Sequence, residues 1–395
     1  MNHSAADARV AHPEPHETRQ SEATNAVRAL QGYGQSVWLD DLRRSLFTTG
    51  EFQRLIRDDG LLGATSNPLI FEKAITGSTD YLEAIQELVR HRDMESVALY
   101  EALAIQDIRD AADLLRPAFD RTARVDGYVS LEVSPHLAYD TEGTIAEARR
   151  LWKAVDRENV MIKVPASAEG LPAIRQLTSE GINVNITLLF GIARYNAVGR
   201  AYIEGVESFV RSGGDPAHVC SVASFFVSRI DTMVDAMIAT RLATATDAGL
   251  RATLTGLLGT VAIANAKLAY QQYLALCRTA EWQRLAARGA HAQRLLWAST
   301  STKNPRYRDV RYVEELIGRD TVNTITPATI EAFRDHGRLR ASLGEEVDEA
   351  RATLATLDRM GISLGQVTDR LLEDGVVLFR AAFDHLLAAL QARSR

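Results

Sequence analysis

Cysteine is almost missing from this chain. Cys220 and Cys277 are the only two in 395 residues, and neither has metal-ligand spacing around it. A disulfide framework and a cysteine-rich metal site are therefore excluded, and a reducing cytoplasm is the simplest setting. Charge of one sign is also scarce. A formal net charge of -6, with 24% charged residues, gives no electrostatic reason to expect nucleic acid or an anionic membrane as partner. No uninterrupted apolar stretch is long enough to span a bilayer. Residues 1–30 lack the apolar centre of a secretory signal and read as a mobile tail, mobile at least to about Asn25. Internal repeats are absent, and no linker divides the rest into two domains, so 31–395 is expected to fold as one unit.

What the chain does contain is a regular alternation. Eight short apolar or alternating segments, 36–41, 61–67, 127–134, 160–167, 182–190, 219–226, 294–300 and 321–326, are each followed by sequence of helical spacing. The intervals 78–119 and 228–290 have room for two or more helices, and 328–337 and 345–395 read as further helices broken near 361–364. Strands alternating with helices imply a parallel sheet covered by helices. Eight such units point to a closed (β/α)₈ barrel, with an open doubly wound sheet as the competitor. The first strand-to-helix turn, Asp40-Asp41-Leu42-Arg43, carries no GxGxxG, so a dinucleotide site has no support there.

Parity within the strands is the stronger signal. Side chains alternate faces along a strand, and the outer face of such a barrel is covered by helices. The apolar set should therefore point outward. That leaves Trp38 and Asp40, Thr65 and Asn67, Ser130 and Glu132, Lys163, and Asn185 and Thr187 pointing inward. Several lie near the C-terminal ends of their strands, where barrel enzymes build active sites. Asp41 has the opposite parity and is expected to point out. Taken singly, each has a structural explanation. A lone Ser, Thr or Asn can belong to a satisfied polar network, and a strand lysine can snorkel to water. Asp40, Glu132 and Lys163 facing one interior are harder to explain structurally, because ionisable groups are rarely buried unless paired and are weak stability devices there.

These groups suit imine chemistry. A lysine ammonium is costly among apolar neighbours, and the neutral amine is a nucleophile for a ketone. A carboxylate moves the protons of imine formation, and a second one takes the hydroxyl proton that drives retro-aldol cleavage. Asn67 and Asn185 can hold the hydroxyls of the remaining three-carbon piece. Ser224 and Arg229 stand at a strand-to-helix turn and Lys303 follows the seventh strand, a combination that suits a phosphate.

Several runs resemble transaldolase signatures: Ser130-Leu131-Glu132-Val133-Ser134-Pro135, Met161-Ile162-Lys163-Val164-Pro165-Ala166, Asn185-Ile186-Thr187-Leu188-Leu189-Phe190, Gly63-Ala64-Thr65-Ser66-Asn67-Pro68 and Phe226-Val227-Ser228-Arg229-Ile230-Asp231. They occur in order from about residue 36 to the C-terminus, and the Trp38-Leu39-Asp40-Asp41 version looks like the longer bacterial subfamily. The resemblance implies a (β/α)₈ barrel whose Schiff-base lysine is Lys163, with Glu132 transferring protons and Asp40 on the first strand acting as base. It implies that Thr187 supports the catalytic water, and that Thr65, Asn67, Ser130, Asn185, Ser224 and Phe226 surround the dihydroxyacetone unit. Arg229 falls on a phosphate-binding arginine. Lys303 falls where many relatives have a second one, keeping the charge but losing the bidentate fork.

The activity implied is transfer of dihydroxyacetone from sedoheptulose 7-phosphate to glyceraldehyde 3-phosphate, giving erythrose 4-phosphate and fructose 6-phosphate. It implies no metal or organic cofactor, a cytoplasmic location, and a monomer or homodimer. The rivals are a Schiff-base aldolase that releases free dihydroxyacetone and a catalytically silent barrel that binds sugar phosphates.

Overall fold

In the computed structural model, which describes residues 25–90 and 94–393, all eight expected strands form. They are β1 Gln35–Leu39, β2 Gly63–Thr65, β3 Tyr128–Glu132, β4 Val160–Pro165, β5 Val184–Leu189, β6 Ser221–Phe226, β7 Arg294–Ala298 and β8 Thr321–Ile325. Neighbours in sequence are neighbours in space, every pairing is parallel, and β8 closes on β1 from Gln35 opposite Thr321 to Leu39 opposite Ile325. The open-sheet alternative is thereby removed. Each strand is shorter than its alternating run. The extra residues, such as Asp40-Asp41 after β1 and Ser66-Asn67 after β2, lie above the last ladder position and form the barrel's mouth.

The long intervals hold the expected helices. Leu82–Arg90 and Ser96–Arg121 fill the first, and Ser228–Thr244, Ala248–Leu257, Val261–Cys277 and Ala280–Ala286 the second. The C-terminal region forms Val347–Arg359 and Leu364–Arg393, parted around Gly361 as its sequence suggests. By length and composition Leu364–Arg393 is apolar enough to cross a bilayer, although no uninterrupted apolar run marks it. Its stripe of Val367, Leu371, Val376, Phe379, Phe383, Leu386 and Leu390 is buried, and the helix packs on Pro68–Gly77, Ser96–Arg121, Ser228–Thr244 and β5. The apolar face is used inside the protein.

Residues 1–24 of the expected tail lie outside the described residues. Asn25 to Leu30 do not behave as a tail. Asn25 accepts hydrogen bonds from the amides of Val27 and Arg28 to cap the helix Ala26–Ala29, and Val27 and Leu30 are fully buried. Among the described residues, Asn25 to Leu30 are therefore packed with the residues that follow.

Inward-facing polar groups close the N-terminal end of the barrel. Arg294 of β7 donates to Ser36 Oγ at 2.8 Å, Asp126 Oδ1 at 2.9 Å and the Val125 carbonyl at 2.6 Å. Ser36 donates to Asp126 Oδ2 at 2.7 Å and the Trp38 indole to Asp126 Oδ1 at 3.1 Å. This plug leaves the opposite, C-terminal end as the open face.

Candidate active site

At that open face lies a cavity of 540 Å³ lined by eight of the residues singled out from sequence: Asp40, Thr65, Asn67, Lys163, Ser224, Phe226, Arg229 and Lys303. Ladder register explains the convergence. Glu132, Lys163 and Asn185 are opposite one another on β3, β4 and β5, so the three side chains enter the interior at one level. Lys163 Nζ donates to Glu132 Oε2 at 3.3 Å and to the Ser66 carbonyl at 3.1 Å. The amine is buried but not alone, a partnering that strand parity does not reveal.

Ser224, which lines the cavity, forms a hydrogen-bonded row with Asn185 and Ser130 behind it. The Asn185 amide donates to Ser130 Oγ at 2.9 Å and accepts from Ser224 Oγ at 2.6 Å. Asn185 is thereby fixed on both sides. Thr187, two positions up β5 and on the same face, has a buried hydroxyl with no protein hydrogen-bond partner among the described residues. It sits at a backbone irregularity. The β5–β6 register shifts between Ile186 and Leu189, and Leu188 adopts φ 54°, a left-handed conformation that is strained for a bulky residue. Leu188 packs against Gly375 of the C-terminal helix, where an added Cβ would lie 2.7 Å from a Leu188 methyl.

Asp40 follows β1 directly and accepts from Thr65 Oγ1 at 3.2 Å, while Thr65 and Thr324 hydroxyls are 2.9 Å apart. Burial pushes the Asp40 carboxyl above its ordinary value, against the opposing pull of Lys163, the Thr65 hydrogen bond, Lys303 and Arg229. Burial likewise raises Glu132, only partly offset by the charge and hydrogen bond of Lys163. Asp41 departs from its expected outward direction and also lines the cavity, paired with Arg43 at 3.5 Å. β1 ends at Leu39, so strand alternation no longer governs residue 41.

Asn67 caps the helix Pro68–Gly77 through its side-chain oxygen, which accepts from the Ile70 amide at 3.1 Å, so its amide nitrogen is the group left for the cavity. Phe226 stacks near Phe190 with ring centres 5.1 Å apart, and the Arg229 guanidinium lies 5.4 Å from the Phe226 ring centre. Lys303 Nζ donates to Ser301 Oγ at 2.8 Å. Neither Arg229 nor Lys303 has an ion-pair partner within 4.0 Å among the described residues. Burial lowers the pKa of both, with Asp40 pulling each back up, and Arg229 and Lys73 push Lys303 further down.

Several lining groups were invisible in the sequence: Lys73, Ser299, Ser301, Thr324 and Phe379, the last reaching in from the C-terminal helix. Phe379 carried only a helical-period signal, which reports burial and not what is buried against it. Among the described residues no group of three or more His, Cys, Asp or Glu side chains suits a metal ion.

An amine held against a carboxyl at the C-terminal end of a closed (β/α)₈ barrel, beside two cations with no ion-pair partner among the described residues, is the arrangement of a barrel enzyme. The chain belongs to the transaldolase family: residues 37–390 match the family model described as Transaldolase/Fructose-6-phosphate aldolase. It is 48% identical over 366 residues to a transaldolase of Thiobacillus denitrificans, covering 93% of this chain and 99% of the relative. It is 46% identical over 374 residues to transaldolase 2 of Nostoc sp. (94% and 98% covered) and 42% identical over 370 residues to transaldolase 2 of Streptomyces avermitilis (93% and 97% covered).

Proposed function

We propose that the protein is a cytoplasmic transaldolase, moving a dihydroxyacetone unit from sedoheptulose 7-phosphate to glyceraldehyde 3-phosphate through an imine on Lys163. The observation that carries this reading is Lys163, which lines the cavity together with Asp40, Arg229 and Lys303 while its Nζ is held 3.3 Å from Glu132 beneath the lining. The amine attacks the donor ketone, and Glu132, whose raised pKa suits a proton carrier, delivers the proton with which the carbinolamine hydroxyl leaves as water. Thr187, with its unspent hydroxyl, holds that water.

In the iminium so formed, Asp40 takes the proton from the C4 hydroxyl. The C3–C4 bond breaks, its electrons pass to the nitrogen, and the aldose phosphate leaves. The enamine left on Lys163 then attacks the aldehyde of the acceptor while Asp40 returns the proton. Ser130, Asn185, Ser224, Thr65 and Asn67 grip the three-carbon unit, Phe226 walls it, and Arg229 with Lys303 takes the phosphate. Free thiols at Cys220 and Cys277 fit a reducing cytoplasm.

The test is incubation with fructose 6-phosphate and borohydride. It should inactivate the protein and add a reduced three-carbon unit to Lys163, and Lys163→Met should abolish both adduct and turnover. Label that persists in that variant, or maps to Lys153 or Lys267, overturns the assignment. Product analysis with and without an acceptor aldehyde separates transfer from release: free dihydroxyacetone formed at the transfer rate would identify an aldolase.

A further inference from the structure

The segment that carries Lys303 has little structure of its own. Between β7 and the short helix Arg311–Glu314 it runs from Ser299, at φ 57°, as turns and bends. Hydrogen bonds from Thr300, Thr302 and Arg308, and from His336 to Asp309, tie it to the barrel and to itself. Two tyrosines join it to the helix that carries Arg229. Tyr307 donates to Asp235 Oδ2 at 2.6 Å and Tyr312 donates to Asp231 Oδ2 at 2.8 Å. The two carboxylates lie one turn apart on the helix Ser228–Thr244, the helix whose first turn presents Arg229 to the cavity.

Their second oxygens are also spoken for. Asp235 Oδ1 accepts from the Gly259 amide at 2.9 Å and Asp231 Oδ1 from the Ala262 amide at 2.7 Å, which fixes the carboxylates before the tyrosines reach them. Gly259 leaves the space the ring needs, since a Cβ there would stand 2.5 Å from Tyr307 Cζ, and Arg311 covers the ring at 4.9 Å. One helix therefore holds one cation directly and the other through a pair of carboxylate–tyrosine bonds.

We propose that Tyr307 and Tyr312, latched to Asp235 and Asp231, are positioning residues that set Lys303 against Arg229 and so determine preference for phosphorylated donors. This rests on the reading of Arg229 and Lys303 as the phosphate site. Neither tyrosine lines the cavity, so removal of its hydroxyl acts on binding of the phosphate and not on the imine chemistry. Tyr307→Phe keeps the ring that fills the space beside Gly259 and removes only the bond.

The experiment compares Tyr307→Phe, Tyr312→Phe and the double variant, each with and without Lys303→Ala, using fructose 6-phosphate and unphosphorylated fructose as donors. Each single phenylalanine variant should raise KM for fructose 6-phosphate by about 3- to 10-fold, the scale of one ordinary net hydrogen bond, because the lost bond reaches the phosphate only through Lys303. The value of kcat, and of kcat/KM for fructose, should stay at the wild-type level. Amide hydrogen exchange across 301–310 should quicken, and the KM effect should vanish in the Lys303→Ala background. Equal losses for both donors, or a KM effect that persists without Lys303, would show a merely structural role and overturn the proposal. If Lys303→Ala lowers the preference for fructose 6-phosphate while Tyr307→Phe and Tyr312→Phe change neither KM nor exchange, the latch fails alone. If Lys303→Ala leaves donor preference unchanged, the phosphate reading fails and the proposal with it, whatever the exchange shows.

Discussion

The two ends of the barrel bury charge in opposite ways. At the N-terminal end Arg294 meets Asp126 at 2.9 Å, with Ser36, Trp38 and the Val125 carbonyl completing the set. Burial alone would lower the arginine's pKa, yet the charge and hydrogen bond of Asp126, with smaller pulls from Tyr273 and Cys220, together turn the net shift upward. At the C-terminal end the balance is reversed. Burial wins at Asp40 and Glu132, whose carboxyls rise, and at Arg229 and Lys303, whose pKa values fall. Both ends contain acids and bases in one interior. Only one leaves them short of partners, and a group whose charged form is under-supported is ready to exchange a proton or take a ligand. Among the charged groups, pairing marks the structural end and shortage marks the site, although Gln35 and Gln293 at the closed end each keep a buried amide oxygen without a partner among the described residues.

The largest expected effects would break that contrast from each side. Lys163→Met should remove all turnover while leaving the melting temperature near wild type, because Glu132 answers the loss by keeping a proton. Asp126→Asn should do the reverse. It strands the Arg294 guanidinium in the interior, and breaking a buried pair costs about 3–5 kcal/mol, whereas kcat of the protein that remains folded should be retained. Denaturant unfolding and single-turnover rates on both variants check this. A stable Asp126→Asn with impaired chemistry would show that the two ends are not functionally distinct.

A second measurement sharpens the division of labour within the mouth. Glu132→Gln should slow imine formation and hydrolysis, whereas Asp40→Asn should still form the imine and accumulate a borohydride-trappable donor adduct. Each should lose about 10²–10⁴-fold in rate, the scale of one general acid or base. Near wild-type rates in both would remove these roles.

The contrast also explains what could be read from the chain alone. A strand repeats every two residues, so inward faces followed from parity, and Ser130, Glu132, Lys163, Asn185 and Thr187 all lie on strands. Parity failed at Asp41, one residue beyond Asp40 and past the end of β1. Periodicity likewise says nothing about pairs joined across the fold. Arg294 with Asp126 is separated by 168 positions and Tyr307 with Asp235 by 72. Those contacts exist only once the barrel closes. Phe379 was legible as buried but not as a cavity wall, and the contact of Leu188 with Gly375, far along the chain, carries no local signal.

A smaller effect concerns the cations. Lys303→Ala should lower the ratio of kcat/KM for fructose 6-phosphate to that for fructose by about 10- to 150-fold, from roughly 1.5–3 kcal/mol per hydrogen bond to a charged group. Lys303→Arg should keep or improve it, because a guanidinium offers two parallel donors to a phosphate. An unchanged ratio in Lys303→Ala would make Lys303 a turn residue.

The smallest effect is a displacement along the pH axis, and it identifies which carboxyl titrates. Asp40 acts as base only when ionised, so activity should rise with pH through its pKa, which burial has moved above the usual aspartate value. Thr65, Lys303 and Arg229 each favour the ionised form, in that order of strength after Lys163. Removing any of them raises the pKa, so the acid limb of kcat/KM for unphosphorylated fructose should shift to higher pH. The shift should be largest in Thr65→Val, smaller in Lys303→Ala and smallest in Arg229→Ala. Fructose is the donor of choice because it has no phosphate to titrate or to lose contact with these cations. Glu132 is raised as well, but the charge and hydrogen bond acting on it come from Lys163 alone. If the limb belongs to Glu132, Lys303→Ala and Arg229→Ala should leave it where it is. A limb that stays fixed in all three variants would therefore take the titrating role from Asp40 and give it to the carboxyl beside the amine.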